Sequence, residues 1–480
     1  MLDQLEPKDV WCYFEDICRI PHGSGNQRQI GDYLTDFAKK HNLEYHRDSA
    51  GNIIIIKEAS VGYEDVPALI LQGHSDMVCE KTAETKIDFL YDGLTLETDG
   101  DFVTASGTTL GGDDGIAVAY SLAFLADETL KHPRLEAVIT ADEEIGMLGC
   151  AVIDVSMLKS KKLINLDSEA EGVFLAGCAG GLTFVGKVPV RRESCEGTIF
   201  KMDFSGFKGG HSGNEINVGR ANSNIAAARI LFEASNRTVL HIISMEGGNK
   251  ENAIPRQTSA SVLIPAGTED AFLTAVKEEE AILRNEYANT DGNFTIAAEK
   301  SGTGEAQVLT AESQVKFFNI LMNIPNGVQT MSSEIKGLVE TSQSMGVLRM
   351  SDTDIEIRIN VRSSRNSAKY YLSDRTAHFI KEMGGTSDIS AVYSGWTFQK
   401  ESPLRETFIA SYEKLFGKTP TVEAIHAGVE CGILQDKLGG ADCISLGPQM
   451  YGIHTPDEKL SIASVERTYR LVREVIEKKA

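Results

Sequence analysis

The sequence predicts an α/β protein whose main domain is interrupted by an inserted α+β domain. A chain of 480 residues exceeds the roughly 250–300 residues that one hydrophobic core usually serves. Patterns typical of helices and strands alternate near both ends of the chain, which favours a sheet with helices on both faces. Between these ends the pattern changes. We therefore expect a first catalytic segment over residues 1–184, an α+β insert over 185–390, and a second catalytic segment over 391–480.

The first segment begins with two helical patterns, and short apolar runs that predict strands follow. The break between the two helices is the Pro- and Gly-containing segment 21–25. In chain order the predicted elements are helices over 9–19 and 27–40, strands over 53–56 and 68–71, a helix over 115–126, and strands over 135–140 and 163–166.

The insert is expected to contain two successive rounds of strands and helices, although it has no clear sequence repeat. Its predicted strands cover 182–190, 198–204, 239–245, 258–264, 346–350 and 354–361, its predicted helices 222–234, 270–286 and 368–383, and a further element lies near 312–322. The final segment shows a helix over 406–416, a strand over 443–446 and an amphipathic helix over 464–479.

Composition narrows the classes of partner. The net charge of −22, from 69 acidic and 47 basic residues, disfavours nucleic acid and anionic membranes, which require basic surfaces. The N-terminal residues lack the basic and apolar regions of a secretory signal, and no uncharged apolar run reaches the length of about 18 residues expected of a membrane span. Eight scattered cysteines without a CxxC pair suit free thiols in a reducing compartment. We therefore expect a cytoplasmic protein.

Histidines and acidic residues stand at the ends of several predicted elements. They are His74, Asp76, Asp113, Glu143, Glu144, Asp167 and His454. In open α/β sheets, sites form at the carboxyl ends of the strands, so these side chains could converge on one edge. Imidazole and carboxylate groups bind zinc-like ions, a carboxylate can bridge two of them, and a two-metal site activates water near neutral pH. The set predicts a metal-dependent hydrolase.

Each of these motifs alone also has a purely structural explanation. His74 and Asp76 could be a loop histidine beside a helix-capping Asp, and Asp113 could cap a helix after a glycine turn. Adjacent glutamates such as Glu143 and Glu144 are common on solvated surfaces, and His454 could be an ordinary loop residue. The specificity lies in the ordered set.

The ordered set resembles the co-catalytic zinc exopeptidases of the aminoacylase and carnosinase type. The resemblance covers essentially the whole chain, and within that family the motifs are most similar to those of bacterial enzymes that cleave carnosine-like and other Xaa-His dipeptides. The motifs that carry it are residues 73–78, 108–115, 141–144, 165–169, 177–181, 209–213, 252–256 and 426–432. One departure is Gly112-Asp113-Asp114, where better-known relatives have Ala-Asp-Asn.

The resemblance implies a zinc-exopeptidase-like three-layer catalytic domain with the insert as a lid, and a role for each metal-site residue. Asp113 would bridge two divalent metal ions, of which Zn²⁺ is expected and Co²⁺ or Mn²⁺ are substitutes. His74 and Asp167 would complete one metal site, and Glu144 and His454 the other. Glu143 would be the general base and Asp76 the partner of His74. A non-proline cis peptide bond would follow Asp113.

The resemblance also implies roles for residues of the insert. His211 would stabilise the oxyanion once the lid closes, and Asn252 and Arg362 are candidates for binding the substrate carboxylate, although Arg362 could equally form a structural ion pair. A homodimer through the lid is common in the family, but so large a lid could also mimic a partner within one chain.

Rival functions remain open at the level of the sequence. The same site would serve a tripeptidase, an N-acyl amino acid deacylase or a carboxypeptidase. A metal-binding peptide receptor without turnover is disfavoured by Glu143, because a binding site needs no base at that position.

Overall fold

The computed structural model describes residues 2–479. Within this range the helices are α1 (Lys8–Cys18), α2 (Arg28–Lys40), α3 (Gly112–Ala126), α4 (Leu148–Val152), α5 (Ser223–Arg237), α6 (Glu269–Glu286), α7 (Ala311–Asn323), α8 (Asn366–Glu382), α9 (Pro403–Phe416), α10 (Glu430–Lys437) and α11 (Ile462–Ile476). Two short 3₁₀ helices cover Leu2–Gln4 and Ile216–Val218.

The strands of the same range are β1 (Glu44–Arg47), β2 (Ile53–Lys57), β3 (Leu69–His74), β4 (Leu96–Thr98), β5 (Phe102–Ala105), β6 (Leu135–Thr140), β7 (Lys162–Asn165), β8 (Val173–Cys178), β9 (Gly180–Pro189), β10 (Arg192–Ser205), β11 (Gly210–His211), β12 (His241–Gly247), β13 (Ala253–Ile254), β14 (Thr258–Ile264), β15 (Thr295–Leu309), β16 (Gly327–Met331), β17 (Val339–Met350), β18 (Asp354–Ser363), β19 (Thr386–Tyr393), β20 (Thr421–Ile425), β21 (Asp442–Ser445), β22 (Met450–Tyr451) and β23 (Lys459–Ser461).

The chain divides into two compact units. Unit 1 comprises residues 2–178, Trp396–Ala424 and 429–479, and unit 2 comprises Ala179–Gly395 and Ile425–Gly428. The sequence-based boundaries at 184/185 and 390/391 fall inside β9 and β19, two strands that pair with each other in unit 2. The short segment Ile425–Gly428 also belongs to unit 2, although it lies in the predicted second catalytic segment.

Unit 1 contains an eight-stranded sheet in the order β1-β2-β6-β3-β7-β21-β8-β20. The central strands β6, β3, β7 and β21 are parallel, and β1 and β2 run antiparallel at one edge. A second sheet has the order β22-β23-β5-β4. The parallel centre places the carboxyl ends of β3, β6 and β7 at one edge.

Helices cover both faces of the main sheet of unit 1, as the sequence predicts. Ile53 and Ile55 of β2 are buried in the core that α1, α2, α3, α9 and α11 share. Ile54 and Ile56 are also buried and point to the opposite face, because side chains alternate along a strand. In unit 1, α4 and α10 pack together, and α10 contacts β8 and β21. Burial on both faces explains the continuous Ile53–Ile56 run, since each such side chain contributes about 1.5–3 kcal/mol when removed from water.

Unit 2 is built from two halves with the same order of elements. One half runs β10-α5-β12-β14-α6-β15 and the other β9-α7-β17-β18-α8-β19. In the sheet the order is β15-β10-β14-β12-β17-β18-β9-β19, so the halves join through β12 and β17, and β16 adds to β17. Helices α5 to α8 bury apolar residues in a single core with this sheet.

The two rounds predicted for the insert are therefore present, but the prediction that they are successive is wrong. Strand β9, which opens the second half, precedes the whole of the first half along the chain. Pairing of β9 with β18 and β19 places it there, and such long-range pairing leaves no local sequence signal. Among residues 2–479, no helix is both long and apolar enough to cross a membrane.

Candidate metal centre

Residues at or just after the ends of three parallel strands of unit 1 lie at one edge of the sheet. His74 is the last residue of β3 and lies opposite Thr140, the last residue of β6. Glu143 and Glu144 lie in the loop just after β6, and Asp167 lies two residues after β7, whose Asn165 is opposite Gln72 of β3. This is the convergence that the sequence predicts for parallel strand ends.

Asp113 is the centre of the cluster. Its Oδ1 lies 3.1 Å from His74 Nε2, and its Oδ2 lies 3.1 Å from His454 Nε2. His74 Nε2 is also 3.6 Å from Asp167 Oδ1, and His454 Nε2 is 3.0 Å from Glu144 Oε1. Each oxygen of Asp113 thus faces its own imidazole, and each imidazole has a second carboxylate beside it.

These spacings fit two adjacent divalent ions. Tetrahedral ligands about 2.0 Å from zinc lie about 3.3 Å from one another, close to the nitrogen–oxygen distances around His74 and His454. His74, Asp113 and Glu144 each offer a ligand atom within 4.8 Å of the others, and His74, Asp114 and Asp167 form a second such group. Asp114 is the less suitable ligand, because its Oδ2 accepts a hydrogen bond from the His74 backbone N–H at 3.1 Å.

Asp76 holds two parts of the centre at once. His74 Nδ1 lies 3.0 Å from the Asp76 backbone oxygen and 3.5 Å from its Oδ1. The same carboxylate accepts hydrogen bonds from the backbone N–H groups of Glu143 at 2.9 Å and Glu144 at 3.3 Å, and from Ser24 Oγ at 2.8 Å. Asp76 therefore orients the imidazole of His74 and the loop that follows β6, a double role that exceeds the one predicted.

The backbone at Asp113 has the expected cis peptide bond to Asp114. The Asp114 side chain is fully buried, and its Oδ1 has no hydrogen-bond partner among the described residues. A buried, incompletely satisfied carboxylate close to the carboxylates of Asp113 and Asp167 is in an environment that nearby cations stabilise. Asp114 thus supports the fit of the cluster to metal ions even though it is not the bridging group.

The electrostatics reflect this crowding of carboxylates. Burial, together with the negative charge of Asp167, raises the pKa of Asp114 well above its usual range. Burial also raises the pKa of Asp167 well above its usual range, against the opposing charge of His74. Hydrogen bonds with Asp113 and Glu144 raise the pKa of His454 to about 10. Two divalent cations would neutralise the charge that these carboxylates accumulate.

Glu143 stands apart from the ligand pairs. Its backbone is fixed by Asp76, and burial raises the pKa of its carboxyl to about 8, with the His74 imidazole acting against this and the carboxylates of Asp167 and Glu144 adding to it. A glutamate beside the cluster but outside its close imidazole contacts is suited to proton transfer.

The remaining predicted site residues belong to unit 2. His211 lies on β11, which pairs with β13 so that His211 is opposite Ala253, the neighbour of Asn252. Arg362 on β18 is buried, and its Nη2 lies 3.4 Å from His211 Nε2 while its Nη1 donates to Tyr393 Oη at 2.9 Å. The structure thus brings His211 and Arg362 together, with Asn252 on the adjoining strand pair.

The surroundings of His211 make its neutral form a hydrogen-bond donor at Nε2. Its Nδ1 accepts from the backbone N–H groups of Gly213 at 3.3 Å and Asn214 at 3.1 Å, which favours the tautomer with the proton on Nε2. Arg362 Nη2, which can only donate, lies 3.4 Å from that nitrogen and acts against this tautomer. Burial and the positive charge of Arg362 lower the pKa of His211. Arg362 forms no carboxylate pair in any contact described here, and its Nε has no hydrogen-bond partner among residues 2–479.

Sequence reasoning missed several residues around these groups. Glu458 accepts hydrogen bonds from backbone N–H groups of the residues that precede Asp113. Buried Glu430 accepts hydrogen bonds from Gln72 of β3 at 2.5 Å and Thr140 of β6 at 2.6 Å. Tyr393 supports Arg362. Glu458 lies only four residues after His454, and that proximity was the available signal.

Comparisons with known proteins identify similar chains and structures. A curated relative, the cytosol non-specific dipeptidase of Escherichia coli strain K12, is 38% identical over 477 residues, covering 99% of this chain and 98% of its own. The crystal structure of an aminoacylhistidine dipeptidase from Vibrio alginolyticus superposes with a TM-score of 0.92 at 33% identity, covering 99% of this chain and 98% of that one. The aminopeptidase PepT of Bacillus cereus, at 17% identity and a TM-score of 0.55 over 98% of both chains, shares the fold.

Residues 70–478 match the peptidase family M20/M25/M40. This range contains every side chain of the candidate metal centre, from His74 to His454. On the strength of that match and of the full-length relatives, the chain belongs to peptidase family M20/M25/M40.

Proposed function

We propose that the protein is a metal-dependent dipeptidase that hydrolyses Xaa-His dipeptides, including carnosine-like ones. The observation that carries the proposal is the pair of 3.1 Å contacts from the two oxygens of Asp113 to His74 and His454. The name of the Escherichia coli relative and that of the Vibrio alginolyticus structure, both dipeptidases, support the reaction, and the second supports the Xaa-His substrate.

We assign two metal positions, which would share Asp113. His74 and Asp167 would complete one, and Glu144 and His454 the other. The donor set of imidazoles and carboxylates suits Zn²⁺, with Co²⁺ or Mn²⁺ as substitutes. When bound, such ions polarise the scissile carbonyl and lower the pKa of a water molecule towards about 7.

Glu143 is the proposed general base. Its carboxylate accepts a proton from the attacking water and passes it to the amine that leaves when the peptide bond breaks. Asp76 keeps Glu143 in place through the Glu143 N–H and keeps the His74 imidazole in one orientation.

His211 and Arg362 are the proposed substrate-binding groups of unit 2, together with Asn252. The Nε2–H of His211 can donate to the oxygen that becomes negative as the carbonyl is attacked. Arg362, which forms no carboxylate pair among its described contacts, has the planar donor geometry that binds a carboxylate. We assign it, with Asn252, to the C-terminal carboxylate of the dipeptide.

The proposal includes a cytoplasmic location and small peptides as the partners. All eight cysteines are unpaired, which suits a reducing compartment, and the Escherichia coli relative is named for the cytosol. A homodimer is part of the proposal as the arrangement common in the family, beside the alternative of a single chain whose large insert takes the partner's place, and light scattering coupled to size-exclusion chromatography would distinguish the two.

The substrate class can be tested with purified, zinc-loaded protein and a panel of small amides. Carnosine and Gly-His should release histidine, measured by chromatography of the products, and Leu-Ala would show whether the enzyme accepts other dipeptides. Tripeptides and N-acetyl amino acids separate the rival functions. The Glu143→Ala variant, prepared identically, controls for contaminating peptidases. Hydrolysis of N-acetyl amino acids or tripeptides without cleavage of any dipeptide would refute the assignment.

A further inference from the structure

We propose that Glu458 is a positioning residue that fixes the bridging Asp113 by holding the backbone in front of it. The Glu458 side chain is buried, with 3% exposure, and its carboxylate faces four consecutive N–H groups. Oε2 accepts from Leu110 at 2.9 Å and Gly111 at 3.3 Å. Oε1 accepts from Gly112 at 2.8 Å and, more weakly, from Asp113 at 3.4 Å.

The backbone in front of Asp113 needs such support because it has no regular structure of its own. Gly111 has a φ of 66°, and Asp113 and Asp114 depart from helical geometry inside the first turn of α3. The first N–H groups of a helix have no partner within the helix. One buried carboxylate therefore satisfies donors that would otherwise be unpaired, and it fixes the direction in which Asp113 leaves the loop.

The approach of Glu458 to this loop is close. A Cβ placed on Gly112 would lie 3.2 Å from Glu458 Oε1 and 3.1 Å from the Met450 sulfur. Contacts of this length are tighter than ordinary van der Waals packing, so glycine at position 112 allows the carboxylate to reach the amides.

Glu458 also lies on the same short segment as His454, the second imidazole that faces Asp113. It follows His454 by four residues, and its N–H donates to the Thr455 carbonyl at 3.1 Å, which closes a tight loop between them. His454 Nε2 lies 3.1 Å from Asp113 Oδ2. A single short segment therefore supplies an imidazole to one oxygen of Asp113 and a carboxylate to its backbone. The distance between this imidazole and this carboxylate is fixed by the tight loop of that segment.

This role rests on the proposed two-metal function, and it predicts a defect in metal binding beyond a loss of stability. Replacing residues that support metal ligands typically weakens metal affinity by about 10–100-fold. In Glu458→Gln, an amide NH₂ would face backbone N–H groups, and two of the four hydrogen bonds would be lost. We expect the Glu458→Gln variant to bind metal about 10–100-fold more weakly than wild type. Its Co²⁺ absorption spectrum should also change, because the position of the Asp113 carboxylate would shift.

Glu136→Gln is the matched control. Glu136 is fully buried near the start of β6, at the opposite end of the strand from the metal centre, and accepts from the backbone N–H groups of Lys159 at 2.8 Å and Ser160 at 3.1 Å. Its replacement should lower the Tm of the metal-free protein but leave metal affinity and the Co²⁺ spectrum unchanged. Calorimetric titration of metal-free proteins with Zn²⁺ and Co²⁺ absorption would measure both effects.

The outcomes separate the role of Glu458 from the proposed function. Wild-type affinity and spectrum in Glu458→Gln, with only a lower Tm, would overturn the positioning role. If that variant does not fold, Glu458→Asp, whose shorter carboxylate cannot reach all four amides, undergoes the same test with the same deciding results. A wild-type protein that binds metal but cleaves no dipeptide refutes the function alone, and one that binds no metal refutes both.

Discussion

The carboxylate of Asp113 has an imidazole beside each of its oxygens, and this arrangement explains why neighbouring residues cannot exchange roles. Asp114 is next in sequence, yet one of its oxygens holds the His74 backbone N–H at 3.1 Å. Asp76 accepts hydrogen bonds from the backbone N–H groups of both Glu143 and Glu144, but the Glu144 carboxylate lies 3.0 Å from His454 Nε2, and no such imidazole contact is seen for Glu143 within residues 2–479. The hydrogen bonds of adjacent acids of the same chemical type thus differ, and the proposed roles of ligand, support and base follow those differences.

Glu143→Ala should retain both metal ions and lose nearly all turnover. The carboxylate is needed for proton transfer, while the ligands around His74 and His454 remain. Elemental analysis of the dialysed protein and the initial rate of Gly-His hydrolysis would measure the two properties. Loss of a metal ion along with activity would reassign Glu143 as a ligand.

His211→Ala should lower kcat by about 10²–10³-fold, as expected when one oxyanion donor is removed, with a smaller change in KM. The imidazole can donate from Nε2 in the tautomer that is favoured by the two backbone amides at its Nδ1. Asn214→Ala, which leaves the Asn214 N–H and its bond to Nδ1 in place, is the matched control and should keep most of the activity. An unchanged kcat in His211→Ala would exclude the residue from the chemistry.

At the residue scale, the sequence predicts side chains at strand ends better than those that act on the backbone. His74, Glu144 and Asp167 could be predicted because each follows an apolar run whose type and length indicate a strand. The nearness of Glu458 to His454 in sequence indicates a place near the site, but its contacts could not be predicted, because its partners are amides of residues 110–113, about 345 positions away. A backbone donor carries no residue-specific signal.

At the element scale, the position of α3 against β3 places Asp113 beside His74, and Gly73 makes that approach feasible. A Cβ on Gly73 would lie 2.4 Å from Asp114 Oδ2 and 2.6 Å from the Ala117 Cβ. The helix and strand are therefore in direct contact at the point where both carry residues of the metal centre. Side-chain volume at position 73 would separate them.

Gly73→Ala should destabilise unit 1 by about 1–3 kcal/mol, the usual cost of overpacking a core, and should weaken metal binding by displacing Asp114 from the His74 N–H. Gly302→Ala is the control, because a Cβ there meets no atom within 4 Å. Denaturant unfolding and metal titration of both variants would measure the effects. A Gly73→Ala protein with wild-type stability and metal affinity would contradict the packing argument.

The sequence predicts buried elements more reliably than exposed ones. Strand β2 is a run of four isoleucines buried on both faces, and its limits are nearly those expected. Strand β19 was missed because seven of its eight residues are exposed, so it lacks the alternation that marks a half-buried strand. Pairing with β9 makes it a strand, and that information is non-local.

At the scale of the whole molecule, both units depend on contacts between distant parts of the chain. Along the chain, the first half of unit 2 is inserted within the second half, because β9 precedes β10 whereas the partners of β9, β18 and β19, follow α7. In unit 1 the residues that contact Asp113 come from positions 74 and 454, and Glu144 contacts the second of them. The candidate metal centre therefore exists only when unit 1 is folded.

Metal ions should consequently stabilise the folded protein. A ligand that binds only the native state raises the free energy of unfolding by about 2.7 kcal/mol at a free concentration 100 times its Kd. Chelation should lower the Tm and abolish activity, and Zn²⁺, Co²⁺ or Mn²⁺ should restore activity. Mn²⁺ is the best ion for the thermal experiment, because the eight free cysteines would bind Zn²⁺ in the unfolded chain and mask part of the shift.

Scanning calorimetry of the chelated protein with and without Mn²⁺ would measure this stabilisation. If the two units unfold in separate transitions, only the transition of unit 1 should move to higher temperature, because all the metal-site residues belong to that unit. His454→Ala should show a much smaller shift, since it removes an imidazole that faces Asp113. Two results together would contradict the metal-dependent hydrolase proposal: a wild-type Tm that does not change with metal, and full activity after verified metal removal. They would show that the cluster around Asp113 is a structural network of acids and imidazoles.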